Sequence, residues 1–373
     1  MRILLINNLY KPYARGGAER ITELSAEALK KKGHEIALLT TLPYFKKEKN
    51  PDFKTYYIKS FYRDLGEIPT FLRLFWHVFD IFDLRSYFYV RKILKKEKID
   101  LAITHNLKGI GFLVPRAIQA QKIKHVHTLH DIQLIYPSGL MFYNEEKKID
   151  GFFAKIYAFF SRVFFNSPEA IIAPSQWLLD LHANKGFFKH SKKIVLLNPI
   201  KIEHNIRNKN YDVFRFLFVG QIEDHKGYAI LIKAFQKIKS PNSELVVIGD
   251  GSKMENLKKM ANGNDKIKIL GRKNKEEVLN LMLNSDCLIV PSLCYENSPT
   301  VIYEALANGL PVLGSNIGGI PELIRDKNFL FAPSEDELTR KMEWAIENKD
   351  NLKIEPPKFV SASEYVDWIS KIL

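Results

Sequence analysis

The segment CLIVPSLCYENSPTVIYEALANGLPVLG, residues 287–314, combines three structural elements in one run. It predicts a buried strand at 287–291 and a helix at 300–307, which ends at Asn308-Gly309. A short apolar run at 311–314 predicts a second strand. A strand, a crossover helix and another strand form the repeating unit of a parallel sheet.

The same alternation of apolar strands and amphipathic helices extends over the rest of the chain. In the first half, strands are predicted at 2–6, 35–40, 101–104, 124–129, 170–173 and 194–197, with a helix at 18–32. In the second half, strands are predicted at 215–219, 244–248 and 266–270, with a helix at 228–238. This order is typical of an α/β protein with doubly wound sheets.

A polar stretch at 201–212 reads as a linker between two halves. Because a domain usually has about 100–200 residues, a chain of 373 residues agrees with two domains. We therefore predict two Rossmann-like domains, at 1–200 and 201–360, that face each other across a crevice. An amphipathic helix at 361–373 is predicted to cross back to the first domain.

Composition excludes several classes of protein. The two cysteines, Cys287 and Cys294, are too few for a disulfide scaffold or a cysteine-rich zinc site. The first ten residues turn polar too soon for a secretory signal, and the sequence has no run of 18 apolar residues that could span a bilayer. We therefore expect a cytoplasmic protein.

The formal net charge of +14 lies in the first half of the chain. Residues 1–200 carry 32 Lys and Arg against 18 Asp and Glu, whereas residues 201–373 carry 24 of each kind. The excess indicates either an anionic partner on that side or a lysine-rich solvated surface. No nucleic-acid recognition module is found, so nucleic acid is not expected as a partner.

Two segments in the basic half, 56–98 and 151–165, combine aromatic and basic residues. Helical spacing relates Phe71, Phe75, Phe79 and Phe82 in the first, and the second contains Phe152, Phe153, Tyr157, Phe159, Phe160 and Phe164 with Lys155 and Arg162. Such segments can bind the interface of an anionic membrane. The alternative is an apolar stripe that packs on the sheet.

Ligands of doubly wound domains bind at the carboxyl ends of the strands, so residues just after strands are candidates for a site. Gly16-Gly17 precedes a helix and could approach a phosphate, or could form an ordinary loop. His130, beside Asp131, could hydrogen-bond a hydroxyl group. His125 and His127 lie within the strand and are expected in the core. Lys226 precedes a helix and could bind a diphosphate.

The strongest feature lies between Glu296 and Glu304. Ser298 is predicted as a helix N-cap, with Pro299 as the first helical residue. The amino terminus of that helix suits a phosphate, and the two carboxylates can accept hydrogen bonds from sugar and ribose hydroxyls. The alternative is a capped amphipathic helix with two solvated glutamates.

With these features in place, the chain resembles the retaining glycosyltransferases of family 4, which have the GT-B fold, over nearly its whole length. The matching motifs are Gly16-Gly17-Ala-Glu19, Gly33-His34-Glu35, Thr128-Leu-His130-Asp131, Ala173-Pro-Ser175, Asn198-Pro199, Phe218-Val-Gly220 with Lys226-Gly227, Ile248-Gly-Asp-Gly251, Leu270-Gly271-Arg272, Glu296 to Glu304, Glu304-Ala-Leu-Ala-Asn-Gly309-x-Pro311-Val and Gly318-Gly319-x-Pro-Glu322. Bacterial enzymes that build cell-surface glycans are of this type.

The resemblance implies a reaction and a separate role for each of the two domains. A hexosyl unit moves, with retention of anomeric configuration, from a nucleoside-diphosphate sugar to a lipid-linked or polysaccharide acceptor. The first domain binds the acceptor and the second binds the donor. UDP- and GDP-sugars both remain open as donors. No cofactor and no divalent metal are expected, and the protein is expected in the cytoplasm or on the inner face of the cell membrane.

The resemblance also assigns roles to individual residues. The catalytic set is Glu296, near the reacting carbon, with His130 and Lys226. The donor-binding set is Gly16 and Gly17 at the distal phosphate, Gln221, Lys226, Arg272 near the base, Ser298, the backbone N–H groups of Thr300 and Val301 at the diphosphate, and Glu304 at the ribose.

Two positions depart from the family pattern. Gln221 stands where the family usually has arginine, so it brings no charge to the phosphate. Ser298 stands where the family more often has a bulky or sulfur-containing side chain. Because Gln221 lacks this charge, a second interpretation stays open: the chain could be an inactive GT-B module that binds a sugar nucleotide or supports a partner enzyme. A GT-B epimerase or phosphorylase is a third reading, but the motifs that either would need are not found.

Overall fold

The computed structural model describes residues 1–13, 16–44, 46, 52–67, 69–201 and 212–372, which form two compact units. Unit 1 comprises Met1–Leu140, Lys147–Pro199 and Val360–Leu373, and unit 2 comprises Met141–Glu146 and Ile200–Phe359. Most of the linker predicted at 201–212 lies outside the described residues.

The segment Met141–Glu146, which the predicted boundaries place in the first domain, belongs to unit 2. The Tyr143 N–H donates to the Leu293 carbonyl and the Tyr295 N–H donates to the Met141 carbonyl, each at 2.9 Å. These paired backbone bonds attach the segment to the loop that precedes Glu296.

Unit 1 alternates strands and helices as predicted. Its elements are β1 (Arg2–Ile6), α1 (Gly17–Lys31), β2 (Glu35–Leu42), β3 (Lys54–Lys59), α2 (Thr70–Ile81), α3 (Leu84–Glu97), β4 (Leu101–Thr104), α4 (Val114–Gln119), β5 (Lys124–Thr128), α5 (Phe152–Phe165), β6 (Ala170–Ala173), α6 (Gln176–Asn184) and β7 (Lys192–Val195). They form a parallel seven-stranded sheet in the order β3-β2-β1-β4-β5-β6-β7. The sequence analysis missed the edge strand β3.

The central strands of unit 1 are buried on both faces, which explains their continuous apolar runs. Ile3 to Ile6 in β1 and Leu101 to Ile103 in β4 are almost fully buried. The chain returns to this unit at its end, where Tyr365, Val366 and Ile369 join the core cluster that also contains Leu29 of α1. The Lys32 ammonium group bonds the Asp367 carboxylate at 2.5 Å beside that core.

Unit 2 repeats the scheme with six parallel strands. Its elements are β8 (Phe214–Val219), α7 (Tyr228–Lys237), β9 (Ser243–Ile248), α8 (Met254–Ala261), β10 (Ile267–Gly271), α9 (Lys275–Leu283), β11 (Cys287–Val290), α10 (Thr300–Ala307), β12 (Val312–Ser315), α11 (Ile320–Leu323), β13 (Leu330–Phe331) and α12 (Glu335–Glu347); the last helix of the chain, α13 (Ala362–Ile372), belongs to unit 1. The sheet order is β10-β9-β8-β11-β12-β13.

The topology of unit 2 places three loops side by side. Strands β8, β11 and β12 are neighbours and parallel, so their carboxyl ends lie at one edge of the sheet. Lys226 follows β8, and Glu296 follows β11. Doubly wound sheets bind ligands at this edge, and the strand order reverses beside β8.

Candidate functional site

Lys226 and Glu296 are in direct contact, although 70 positions separate them in the sequence. The Lys226 Nζ atom donates to the Glu296 Oε1 atom at 2.5 Å. The two side chains are only 27% and 16% exposed. The fold therefore joins two residues of the predicted catalytic set in one ion pair.

Gly227 allows the turn that carries Lys226 to lie against the end of β11. Its φ is +75°, and a Cβ atom there would lie 1.8 Å from the Pro291 carbonyl oxygen. No side chain fits in that space. The Leu293 N–H also donates to the His225 carbonyl at 2.9 Å, which ties the loops after β8 and β11 together.

The Glu296 side chain and backbone are both held in place. The Ser292 hydroxyl donates to the Glu296 Oε1 atom at 3.1 Å. The Gly319 N–H donates to the Glu296 carbonyl at 2.8 Å. At Gly318, whose φ is +63°, a Cβ atom would lie 2.3 Å from that same carbonyl oxygen. Loops from three neighbouring strands thus hold Glu296 in place.

The ion pair keeps both of its groups charged. Burial alone would raise the pKa of Glu296, but the Lys226 charge and the hydrogen bonds from Lys226 and Ser292 lower that pKa below its usual value. Burial would lower the pKa of Lys226, but the charge and hydrogen bond of Glu296 raise it. A fixed negative and a fixed positive charge therefore stand together at the strand ends.

Helix α10 begins four residues after Glu296. Helix geometry leaves the N–H groups of Thr300 and Val301, in its first turn, without an intrahelical acceptor. These N–H groups and the helix dipole favour an anion at this end.

The prediction that Ser298 caps this helix is wrong. Pro299 is the N-cap residue, in an extended conformation, and Thr300 is the first helical residue. Because Pro299 takes the cap position, Ser298 lies one residue outside the helix. Its hydroxyl instead contacts the Tyr303 hydroxyl of the same helix.

The other predicted donor-binding residues of unit 2 are exposed near the same strand ends. Gln221 follows β8, Arg272 follows β10 and Glu304 lies on the outer face of α10. All three side chains are accessible to a ligand. Lys226, the helix start and Glu304 thus belong to one edge of one sheet.

Unit 1 holds the remaining predicted site residues at the ends of its own strands. Gly16 is the N-cap of α1, and Gly17 is its first residue. The Gly16 N–H donates to the Glu19 carboxylate at 2.7 Å. The glycine turn is therefore closed by its own helix, although Gly16 itself remains exposed.

His130 is partly buried and pairs with the fully buried His105. Its Nε2 atom lies 2.8 Å from the Nδ1 atom of His105, and the two rings stack with centroids 5.1 Å apart. Burial lowers the pKa of His130 to about 3, so the ring is neutral at pH 7. Burial also raises the pKa of Asp131 to about 6. His130 can therefore act as a neutral hydrogen-bonding group.

The two strand histidines are core residues, as predicted. His125 Nε2 and His127 Nδ1 each lie 2.8 Å from the Thr104 hydroxyl, and both rings are buried. In the part of the chain that the structure describes, no group of three or more His, Cys, Asp or Glu residues is arranged to hold a metal ion.

Sequence reasoning missed a buried polar cluster next to His130. Lys108 and Asp80 are 7% and 8% exposed, and Lys108 Nζ donates to the Pro137 carbonyl at 2.5 Å. The Gly109 N–H donates to the Asp80 carboxylate at 2.9 Å. The available signal was weak: Lys108 is a single charge shortly after a predicted strand, and Asp80 ends an aromatic helix.

Comparisons with known proteins agree with this architecture. Two family profiles match, "Glycosyltransferase Family 4" over residues 15–204 and "Glycosyl transferases group 1" over residues 199–358. An uncharacterized 42.6 kDa protein in the cps region of Klebsiella pneumoniae is 25% identical over 335 residues, which are 87% of this chain and 88% of that protein.

A second relative and a solved structure extend the comparison. The Escherichia coli UDP-Gal:alpha-D-GlcNAc-diphosphoundecaprenol alpha-1,3-galactosyltransferase is 26% identical over 347 residues, covering 83% of this chain and 79% of that enzyme. Anabaena HepE in complex with UDP superimposes with a TM-score of 0.68 at 19% identity, covering 100% of this chain and 95% of HepE.

The structural likeness confirms the predicted GT-B fold, with its two parallel-sheet, Rossmann-like domains. The Family 4 profile spans half of the chain, and the group 1 profile covers nearly all of the remainder. The protein belongs to glycosyltransferase family 4.

Proposed function

We propose that this protein transfers a hexosyl unit from a UDP- or GDP-sugar to a lipid-linked or polysaccharide acceptor, with retention of anomeric configuration and without a divalent metal. The observation that carries the proposal is the Lys226–Glu296 ion pair at the start of α10. The E. coli relative is named for UDP-galactose and a diphosphoundecaprenol acceptor, and HepE was solved with UDP, which supports this class of donor and acceptor.

In this proposal the diphosphate of the donor binds at the amino terminus of α10. The N–H groups of Thr300 and Val301 donate to its oxygens. An ammonium group has three donors, so Lys226 can hold Glu296 and a phosphate oxygen together. This fixed positive field takes the place that a metal ion has in other transferases. Glu304, exposed on α10, accepts hydrogen bonds from the ribose hydroxyls.

The remaining donor contacts follow from the residue types. Gln221 and Ser298 hydrogen-bond the phosphates or the sugar, and the main chain near Arg272 meets the base. In unit 1, the neutral ring of His130 hydrogen-bonds sugar hydroxyls, and the exposed turn at Gly16 and Gly17 approaches the distal phosphate.

In the proposed reaction the bond from the anomeric carbon to the diphosphate oxygen breaks as the bond to the acceptor oxygen forms on the same face. The leaving diphosphate takes the proton from the acceptor hydroxyl. The sugar carries positive charge in the transition state, and the Glu296 carboxylate stabilises that charge. Its low pKa keeps it ionised for this role.

Turnover without metal tests the proposal. The protein, with a chelator and a lipid fraction from a glycan-producing bacterium, should release nucleoside diphosphate from a UDP- or GDP-hexose. Donor binding without release, across a panel of sugars and acceptors, would favour the inactive module. Release that needs a divalent metal would contradict the metal-independent mechanism.

We also propose that unit 1 binds the surface of an anionic membrane on its cytoplasmic side. Helix α5 exposes Phe152 at 73% and Phe153 at 79%, and Phe75 and Phe79 of α2 are 60% and 74% exposed. These four rings are therefore not packed on the sheet, whereas Tyr157 of α5 is buried and contacts Phe112. No helix in the described ranges has the length and apolar character needed to cross a bilayer.

Charge supports an anionic surface as the partner of these aromatic side chains. The formal excess of +14 lies entirely within residues 1–200, which supply most of unit 1. On α5, Arg162 stacks over the Phe159 ring with its guanidinium 5.8 Å from the ring centroid. Aromatic insertion and cationic attraction act together at a lipid interface.

Sedimentation with vesicles tests this surface. The variant Phe152→Ser/Phe153→Ser/Lys155→Glu should bind anionic vesicles at least roughly tenfold more weakly, because two apolar contacts and one charge attraction are lost. Trp368→Ser, which removes an exposed aromatic ring from α13, is the matched control and should bind normally. If the triple variant sediments as fully as the parent protein, this assignment fails.

A further inference from the structure

A large apolar pocket lies in unit 1, among the end of β3, helix α2 and the start of α3. Its volume is about 700 Å³, which lies in the range of small-molecule binding sites. The walls are formed mainly by apolar and aromatic side chains: Phe61, Leu72, Phe75, Trp76, Phe79 and Phe82. The family resemblance assigns no residue of this pocket to a ligand.

The rim of the apolar pocket lies on the proposed membrane surface. Phe75 and Phe79 line the pocket and are also 60% and 74% exposed. Phe82 packs edge-to-face against Phe160 and Phe164 of α5, with ring centroids 5.2 and 5.3 Å away. The pocket therefore adjoins both aromatic helices.

The lining also has buried polar groups: Ser60, Asp80 and the Asp83 side chain, which is 9% exposed. The Gly109 N–H donates to the Asp80 carboxylate at 2.9 Å. The residue before Gly109 is Lys108, which lines a small second cavity together with His130. The buried end of the apolar pocket thus lies next to the polar cluster at the carboxyl ends of β4 and β5.

The chemistry of the lining selects a hydrocarbon chain. A peptide would bring backbone donors and acceptors against walls of rings and aliphatic groups, where they would stay unpaired at a cost. A hydrocarbon chain brings none. Two exposed cations also line the pocket: Arg85 pairs with the Asp83 carboxylate, and the Lys59 ammonium donates to the backbone carbonyls of Pro43, Tyr44 and Lys46.

We propose that the apolar pocket takes the hydrocarbon chain of a lipid-linked acceptor, an isoprenyl or acyl chain drawn from the membrane surface. This inference rests on the proposed function and narrows its acceptor to the lipid-linked class. The chain enters past the aromatic rim, and the polar end of the acceptor then lies toward the strand ends of unit 1. The walls of the pocket determine which lengths and branching patterns of the hydrocarbon chain fit.

Trp76 makes this proposal measurable, because it lines the pocket and its fluorescence reports changes in its surroundings. The probe is farnesyl phosphate, titrated below its micelle concentration and without vesicles. The parent protein should give a saturable change in tryptophan fluorescence. Trp76→Phe should remove that change, which assigns it to the pocket.

Two double variants then separate the pocket from the general aromatic surface. Phe75→Ser/Phe79→Ser should weaken farnesyl phosphate binding by about tenfold or more, since two pocket walls are lost. Phe152→Ser/Phe153→Ser removes exposed rings outside the lining and should leave the affinity unchanged. All four side chains are exposed, so both variants should unfold at the temperature of the parent protein.

Equal weakening in both double variants, or no saturable change in the parent protein, would overturn the pocket assignment. Nucleoside-diphosphate release from the sugar donor is measured on the same preparations. Release with a water-soluble acceptor and no farnesyl phosphate binding would refute the pocket and leave the proposed function standing. Farnesyl phosphate binding with no release from any donor would support the pocket and contradict the transferase.

Discussion

Replacing Glu296 with glutamine should lower turnover by about 10²–10³-fold while changing donor affinity much less. Glutamine keeps an oxygen that can accept the hydrogen bond from Lys226, so the change removes charge and preserves shape. The charge is needed most when the sugar is positive, in the transition state. Such a change lowers kcat and kcat/KM together. Kinetics with saturating donor, and donor affinity by calorimetry, measure the two effects.

Glu244→Gln is the matched control for Glu296→Gln. Glu244 is also a buried carboxylate of unit 2, and its Oε1 and Oε2 atoms pair with Arg215 and Lys268. Its loss should lower stability, because Arg215, which is only 16% exposed, loses its negatively charged partner, but kcat of the folded protein should stay the same. An equal loss of kcat in both variants, or an equal loss of affinity and turnover in Glu296→Gln, would remove Glu296 from the transition state.

Replacing Glu304 with alanine should weaken binding of the nucleoside diphosphate by about 1.5–3 kcal/mol, or roughly 10- to 150-fold in Kd, because hydrogen bonds from ribose hydroxyls to a charged acceptor are lost. Glu304 is exposed on α10, so the folded structure should change little. The affinity is measured by titration with the diphosphate itself, without the sugar.

Glu276→Ala is the control for Glu304→Ala. Glu276 is an exposed glutamate in the first turn of α9, in the same unit. Its removal should leave the affinity for nucleoside diphosphate unchanged. An affinity that is also unchanged in Glu304→Ala would exclude the ribose role of Glu304.

The parallel α/β architecture was predictable because each strand and each helix end has its own local sequence pattern. Strands buried on both faces leave continuous apolar runs, and Gly309 marks the end of α10. The edge strand β3 escaped prediction since its residues are only partly buried and its sequence, KTYYIK, mixes polar and aromatic side chains. Edge strands lack the apolar signature that central strands carry.

The candidate site was predictable in its residues but not in its contacts. Lys226 and Glu296 each stand after a predicted strand, yet their ion pair depends on the close fit of Gly227 against Pro291. That fit is a property of two loops that are distant in sequence. Similarly, Ser298 and Pro299 satisfy the preference for a helix start, but the observed helix begins one residue later.

The buried polar groups of unit 1 left only a weak signal in the sequence. His105 looks like any polar residue after a strand, and its contact with His130 arises only when β4 and β5 lie side by side. The aromatic spacing of α2 predicted a helix. It did not show whether the apolar face of that helix packs on the sheet or binds a membrane surface. The exposure of Phe75 and Phe79 excludes packing on the sheet for these two side chains.

A thermal-shift titration with UDP, GDP, ADP and dTDP, in chelator and without added metal, tests the central claim most directly. A diphosphate that binds the edge formed by β8, β11 and α10 stabilises the folded state by about 2.7 kcal/mol at ~100 times its Kd. We predict a selective shift with UDP or GDP, which Glu304→Ala weakens. No shift with any of the four nucleotides in folded protein, or a shift that appears only with a divalent metal, would contradict the account.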